Sequence, residues 1–216
     1  MVRLLPRDAL VKTGPVDHAD WNYRPVLGWI QRLRFRLILD LLPRGKVGRL
    51  LEIGYGSGVF MPELATRCVE LFGIDIHSHA VEVQSRLKEH GVTAELVSGS
   101  AEHLPYEASV FDAVVAVSSL EFVPDAAAAA REIRRVLKPG GCLVLVTPGH
   151  SPLVDWGLRV LTGESAKQDY AGRREQLMPA LESQFASDAK RTFPPVLSGV
   201  VCLYTALSMR PLESTR

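Results

Sequence analysis

Leu51-Glu52-Ile53-Gly54-Tyr55-Gly56-Ser57-Gly58 continues an apolar run that begins at Val47, and a second apolar run ends at Asp75. An apolar run broken by three closely spaced glycines and followed by Val59 predicts a strand, a tight turn and a helix. Glycine supplies the unusual backbone angles of such a turn and leaves its peptide groups open to a ligand. A dinucleotide fingerprint needs its third glycine at position 59, where this chain has Val59, so close seating of a pyrophosphate is disfavoured. A phosphate-binding P-loop is excluded because no Gly-Lys-Ser or Gly-Lys-Thr follows. Asp75, at the carboxyl end of the next strand, is placed to accept hydrogen bonds from two ribose hydroxyls.

Outward from this turn the chain alternates. Residues 47–53, 69–74, 94–97, 110–117 and 142–147 read as strands, and residues 59–66, 79–90 and 126–137 as helices, the last capped by Asp125. Runs such as Ala113-Val114-Val115-Ala116-Val117 and Leu143-Val144-Leu145-Val146 are apolar on both faces, as parallel strands covered by helices require. Residues 191–193 and 200–207 add two final strands. The expectation is an α/β fold with a doubly wound, mostly parallel seven-stranded sheet, helices on both faces and an antiparallel last strand. Residues 1–216 form one domain in this reading, with 1–45 as an N-terminal arm and helix cap and 148–189 as a substrate-side cover. The cap helix, residues 26–42, has one apolar row of Val26, Ile30, Leu33, Leu37 and Leu41 and a second of Phe35, Leu39 and Leu42.

The 216 residues, 47% hydrophobic, suffice for a full core. Twenty-five Lys and Arg against twenty-four Asp and Glu leave a net charge of +1, which argues against a general nucleic-acid partner. Recognition of charge must be local. The three cysteines have no metal-ligand spacing, and Cys142 and Cys202 fall in apolar strands, so they read as buried thiols in a reducing, cytoplasmic setting with no metal. No stretch approaches the roughly 20 apolar residues of a membrane span.

The ordered segments 51–58, Gly73-Ile74-Asp75-Ile76, Gly99-Ser100-Ala101-Glu102-His103-Leu104-Pro105-Tyr106, Phe111-Asp112 and Leu137-Lys138-Pro139-Gly140-Gly141 carry a resemblance. Over residues 46–147 the chain resembles class I S-adenosylmethionine-dependent methyltransferases, in the broad group related to ubiquinone and menaquinone methyltransferases. The resemblance implies S-adenosyl-L-methionine as cofactor. Glu52 would then organise the loop and the methionine amino group, and Gly54 and Gly56 would offer backbone to the methionine part, with Tyr55 and Gly58 completing the loop. Asp75 would bind ribose, Ile76 would flank adenine, Ala101 and Glu102 would lie at its edge, and Leu120 would close the pocket. Two positions depart from the family pattern. Ser100 stands where many relatives have Asp, leaving the adenine contact reduced or supplied by Glu102, and Glu121 stands near where many have His.

Methyl transfer from a sulfonium is largely a matter of positioning, so the lack of a catalytic triad counts little against an enzyme. Glu121 and His150 are the candidates for orienting or deprotonating an acceptor, and Tyr170 and Arg173 for lining a lid. Between Arg24 and Arg49 seven basic residues face only Asp40, with Arg32 and Arg36 on one helix side and Asp40 within reach of Arg36. Trp21, Tyr23 and Trp29 either line the mouth or anchor the arm. The apolar rows suit a small acceptor, hydrophobic or lipid-like, and are compatible with peripheral membrane contact and with either a monomer or a homodimer. RNA or protein methylation and a non-catalytic, cofactor-binding regulator stay open at this point. No Asp-Pro-Pro-Tyr, Asn-Pro-Pro-Tyr or Pro-Cys segment follows the fourth strand to favour a nucleic-acid base.

Overall fold

A computed structural model describes residues 2–14, 17–149, 173–195 and 202–213. Seven strands form one sheet in the order β3-β2-β1-β4-β5-β7-β6. They are β1 Val47–Ile53, β2 Cys68–Asp75, β3 Glu95–Ser98, β4 Phe111–Val117, β5 Leu137–Pro148, β6 Phe185–Phe193 and β7 Tyr204–Pro211. The first five pair in parallel, and β7 runs antiparallel to both of its neighbours. This is the doubly wound sheet expected of the sequence. Strand order reverses between β1 and β4, and the open crevice there, at the carboxyl ends, is where such sheets bind ligands.

The doubly apolar strands divide their side chains between two cores. Leu50, Val115, Val117, Val144 and Val146 face α1 (Pro25–Leu41) and α3 (Ala80–Glu89). Leu51, Ile53, Val114, Ala116, Leu143 and Leu145 face α4 (Ala126–Val136) and α5 (Arg173–Glu182). Period-two alternation is thus hidden in the sequence only because both faces are buried. Asp125 caps α4 as expected, its carboxylate accepting from Ala128 N at 2.8 Å. The N-terminal arm is part of the α1-side core. Leu5, Ala9 and Val11 are buried there, and Leu5 N donates to Val59 O just beyond the glycine turn.

Several elements differ from the sequence pattern. The helix after the glycine turn is a single turn, α2 (Met61–Leu64), with Pro62 in its first turn, so the chain enters α2 later and leaves it earlier than the expected 59–66. The last strands are β6 and β7 as bounded above, rather than 191–193 and 200–207, and Cys202 lies just before β7. Polar residues such as Ser187, Asp188 and Lys190 disguise β6 because it is the sheet edge, exposed on one side. On α1, Leu27 and Ile38 join the buried set while Val26 and Trp29 face outward. No Arg36–Asp40 ion pair forms among the described residues, and Arg32 Nε instead donates to Gly28 O at 2.9 Å.

Phe111-Asp112 and Lys138-Pro139-Gly140-Gly141, separated in sequence, meet at the amino ends of the strands. The Asp112 carboxylate accepts from Arg49 N at 2.7 Å and, through both oxygens, from Lys138 Nζ at 2.9 Å. Burial pushes this carboxyl up, but the Arg49 N–H and the Lys138 ammonium outweigh it and hold it below its ordinary range. A depressed carboxyl adds stability above its unfolded-state pKa and loses it as pH falls through the folded value. With the side chain about one-third exposed, Asp112→Asn is expected to lower the unfolding free energy by about 1 kcal/mol at neutral pH. The difference should fade below about pH 4, as urea denaturation at several pH values would show.

Candidate active site

The glycine turn is forced by its surroundings. Gly54, Gly56 and Gly58 have φ of 77°, 52° and 72°, a region that side-chain-bearing residues rarely occupy. A Cβ on Gly54 would also collide with the Ser119 Cβ beyond β4, and one on Gly58 would lie 3.0 Å from Val83 on α3. Ser119 Oγ donates to Ile53 O at 2.7 Å and Gly54 N to Ile74 O at 2.8 Å, so β4 and β2 both hold the entry to the turn. Gly56 is the open position. The nearest atoms a Cβ there would meet belong to Asp17 of the arm, at 3.7–3.8 Å.

Three acidic residues converge on this turn from different elements. Glu52, on β1 with its side chain on the α1 face, is 3% exposed, and its Oε2 has no hydrogen-bond partner. Burial pushes the Glu52 carboxyl up to about 8; the negative charge of Asp75 adds to the effect and Arg34 opposes it. Asp75 accepts from Gly56 N at 2.8 Å through Oδ2, while its Oδ1 lies 3.5 Å from His77 N. Lone pairs remain on both oxygens. Asp17, held by Thr13 Oγ1 at 2.7 Å and Ala19 N at 3.1 Å, covers the turn from the arm.

The remaining sequence candidates are distributed around these groups. Ile76 is 80% exposed, an apolar side chain left in the open directly after Asp75. Tyr55 turns its ring into the core over Gly73, so it presents backbone rather than hydroxyl to the turn. Ser100 Oγ donates to Glu102 Oε2 at 2.9 Å, and Glu102 Oε1 accepts from Asp125 N at 2.7 Å, so Glu102 ties the 100–103 turn to the start of α4. Ala101 is buried beside Ile74 and Leu104 in the same core. Leu120 and Glu121 are both buried in the 3-10 turn Leu120–Phe122 that follows Ser119, with α5 packed against it. His150 and Tyr170 lie outside the described residues, as does the side chain of Arg173. A cavity of about 590 Å³ between Glu102–Pro105 and α4 shares only Glu102 with this set.

Three groups at the site escape a reading of motifs. His77 reaches back, its Nε2 lying 3.0 Å from Gly56 O and its ring edge-on to Tyr55 at 5.0 Å, so it pins the turn from below. Asp17 is far away in sequence, in the arm, and no spacing rule connects it to Gly56. Arg34 could have been found, because it occupies a core-facing helical row with Leu27, Ile38 and Leu41 where an apolar residue is the rule.

A nucleoside joined to an amino acid fits these residues. An unpartnered buried acceptor on Glu52 matches an ammonium group, the open backbone at Gly56 admits a close approach, and Asp75 retains acceptor capacity for ribose. Exposed Ile76 offers an apolar face for a base. Gly54→Ala is expected to cost about 2 kcal/mol or more in unfolding free energy, from φ strain plus the Ser119 collision. Adding Ser119→Gly should recover only the steric part. Chemical denaturation of the parent, Gly54→Ala, Ser119→Gly and the double variant checks this, and a neutral Gly54→Ala would contradict the packing described.

The comparisons with known proteins converge on the same region. A family model described as a methyltransferase domain matches residues 51–145. A biotin biosynthesis bifunctional protein of Cellvibrio japonicus is 34% identical over 135 residues, which is 62% of this chain and 26% of that protein. A ubiquinone biosynthesis O-methyltransferase of Pseudomonas aeruginosa is 31% identical over 153 residues, covering 63% of this chain and 66% of that one. The structure of a geranyl diphosphate methyltransferase superposes with a TM-score of 0.66 at 16% identity, over 93% of this chain and 85% of that chain, which is a likeness of fold. The chain spans less than two thirds of the length of the sequence relatives it matches. The matched segment and the strand order together identify a methyltransferase domain over residues 51–145, set on a doubly wound seven-stranded sheet.

Proposed function

We propose that this protein is an enzyme that transfers the methyl group of S-adenosylmethionine to a small, partly hydrophobic acceptor. The observation that carries the reading is a buried Glu52 carboxyl with one oxygen unpartnered among the described residues, at the end of β1 that leads into a side-chain-free glycine turn held by the Asp75 carboxylate. The cofactor, when bound, supplies a methyl group already activated on a sulfonium. Everything left to the protein is binding, alignment and exclusion of water.

Glu52 would hold the ammonium of the methionine part and Asp75 the ribose, with Ile76 against adenine and Ala101 and Glu102 at its edge. Gly54, Tyr55 and Gly58 would shape the turn, and Asp17 would cover it. His77 and Ser119 position the turn from behind rather than touch the cofactor. Glu121, in the turn after β4, and His150 are the candidates for orienting or deprotonating the acceptor, with Leu120 packed beneath. The ubiquinone O-methyltransferases and the sterol 4-C-methyltransferase of Caenorhabditis elegans among the relatives support an acceptor that is small and apolar in part. Trp29, half exposed on α1 and edge-on to Phe193, supplies an apolar surface of this kind.

Protein incubated with cofactor labelled in the methyl group and fractionated extracts should label a small-molecule fraction. Label appearing only in RNA or protein would overturn the acceptor class. Asp75→Ala should weaken calorimetric binding of S-adenosylhomocysteine by about tenfold to a hundredfold, the loss of charge-assisted hydrogen bonds.

Glu52 generates a pH-dependent outcome. With its carboxyl pushed up to about 8, it is mostly protonated at pH 7 before the ammonium arrives and ionised afterwards. Binding of S-adenosylhomocysteine should therefore release close to one proton at pH 7 and progressively less above pH 8. Calorimetry in buffers of different ionisation enthalpy measures the release, and Glu52→Gln should abolish it.

A further inference from the structure

Residues Leu27, Gln31, Arg34, Ile38 and Leu41 follow one another at intervals of three and four, so they share one stripe of α1. Leu27, Ile38 and Leu41 are buried, but the stripe carries two polar residues, Gln31 and Arg34, at its middle. Both have unmet hydrogen-bonding capacity. Gln31 Oε1 and Arg34 Nε are buried without a partner. No carboxylate lies within 4.0 Å of Arg34 among the described residues, and the one ring it covers is that of its own neighbour, Phe35, at 5.1 Å.

The topology points the start of this polar stretch, Gln31, toward the functional end of the sheet, with Arg34 one turn further along the helix. α1 leads into the amino end of β1, so its own N-terminal half lies over the carboxyl ends of the strands. Tyr204 is there too, paired with Pro148 at the end of β5 and buried in the α1-side core. α1 packs on β7, and the Arg34 charge reaches both Glu52 and Tyr204, favouring the ionised form of each. Trp29 and Phe193, the latter the strand partner of Tyr204, make an apolar rim beside it.

The Arg34 side chain is partly buried and its Nε–H is the buried donor left without an acceptor, which is costly, whereas a residue needed only for packing on this stripe would be apolar. Glu52 does not pair with it, since no Arg34–Glu52 ion pair forms among the described residues. We propose that Arg34, with Gln31 and Tyr204, is the anchoring end of the acceptor site and takes an oxyanion on the acceptor, whose apolar body lies against Trp29 and Phe193. The guanidinium and the Tyr204 hydroxyl donate, and the Gln31 carboxamide, rotated by 180°, presents its NH₂. This deepens the acceptor reading above and rests on it.

The test uses the full chain with benzoate and inorganic phosphate as probes, each titrated with and without saturating S-adenosylhomocysteine and read from the Arg34 Nε–H resonance. Benzoate should shift that resonance saturably and bind more tightly than phosphate, because only benzoate has an apolar body. At saturating S-adenosylhomocysteine, Arg34→Met should weaken benzoate about tenfold or more, with Arg34→Lys intermediate. Because the arginine donor is unpaired, the melting temperature of Arg34→Met should equal or exceed that of the parent, an outcome that a structural arginine would not give. Absence of saturable binding of either anion, equal binding by Arg34→Met, or a marked fall in its melting temperature overturns the proposal. Failure of the parent to bind S-adenosylhomocysteine is a separate result, one that overturns the methyl-donor reading itself.

Discussion

The carboxyl end of β1 is crowded from three sides. Ser119 presses on Gly54 from beyond β4, α3 presses on Gly58 through Val83, and Asp75 and His77 hold Gly56 by its own N–H and carbonyl. The chain can turn there only with left-handed backbone and no side chains, which makes glycine obligatory at Gly54. The same restriction creates the site, since a turn without side chains, wedged at the point where strand order reverses, is backbone available to a ligand. Conformational necessity and binding capacity are here one constraint.

Around that turn the fold tolerates polar groups that it pairs elsewhere. At the amino ends of the strands Asp112, Arg49 and Lys138 satisfy one another, and Glu102 joins Ser100 to Asp125 at the sheet's flank. At the carboxyl end Glu52 Oε2, Ser57 Oγ and Ser118 Oγ are buried with no partner, and so are Gln31 Oε1 and Arg34 Nε on the helix above. Each such group lowers stability. Several gather at the ligand-bearing end, although Tyr106 Oη, beside Phe111 at the amino end of β4, is left unpartnered as well.

The sheet was legible because its central strands are buried on both sides and their apolar runs are uninterrupted. Edge strand β6 was not, since polar residues along an exposed edge erase the pattern. Asp75 could be named from its place at the end of an apolar run and Asp125 from its place before a helix, while Glu52 was named through the family resemblance. His77, Asp17 and Ser119 could not, because each reaches the turn across a distance in sequence that only the folded chain closes. Arg34 was visible as a basic residue on an amphipathic helix, but which helical row met the core depended on the packing of Phe35 on Phe60, stacked at 4.3 Å.

The sequence by itself determined the alternation of strand and helix, the glycine turn and the acidic residue that follows it, since these rest on local backbone geometry and the periodicity of apolar side chains. Tertiary structure alone decided which charges stand uncompensated. Whether Glu52 ionises and whether Arg34 finds a partner depend on burial and on distances between α1, β1 and β7, and those distances exist only after the helix has packed across the sheet.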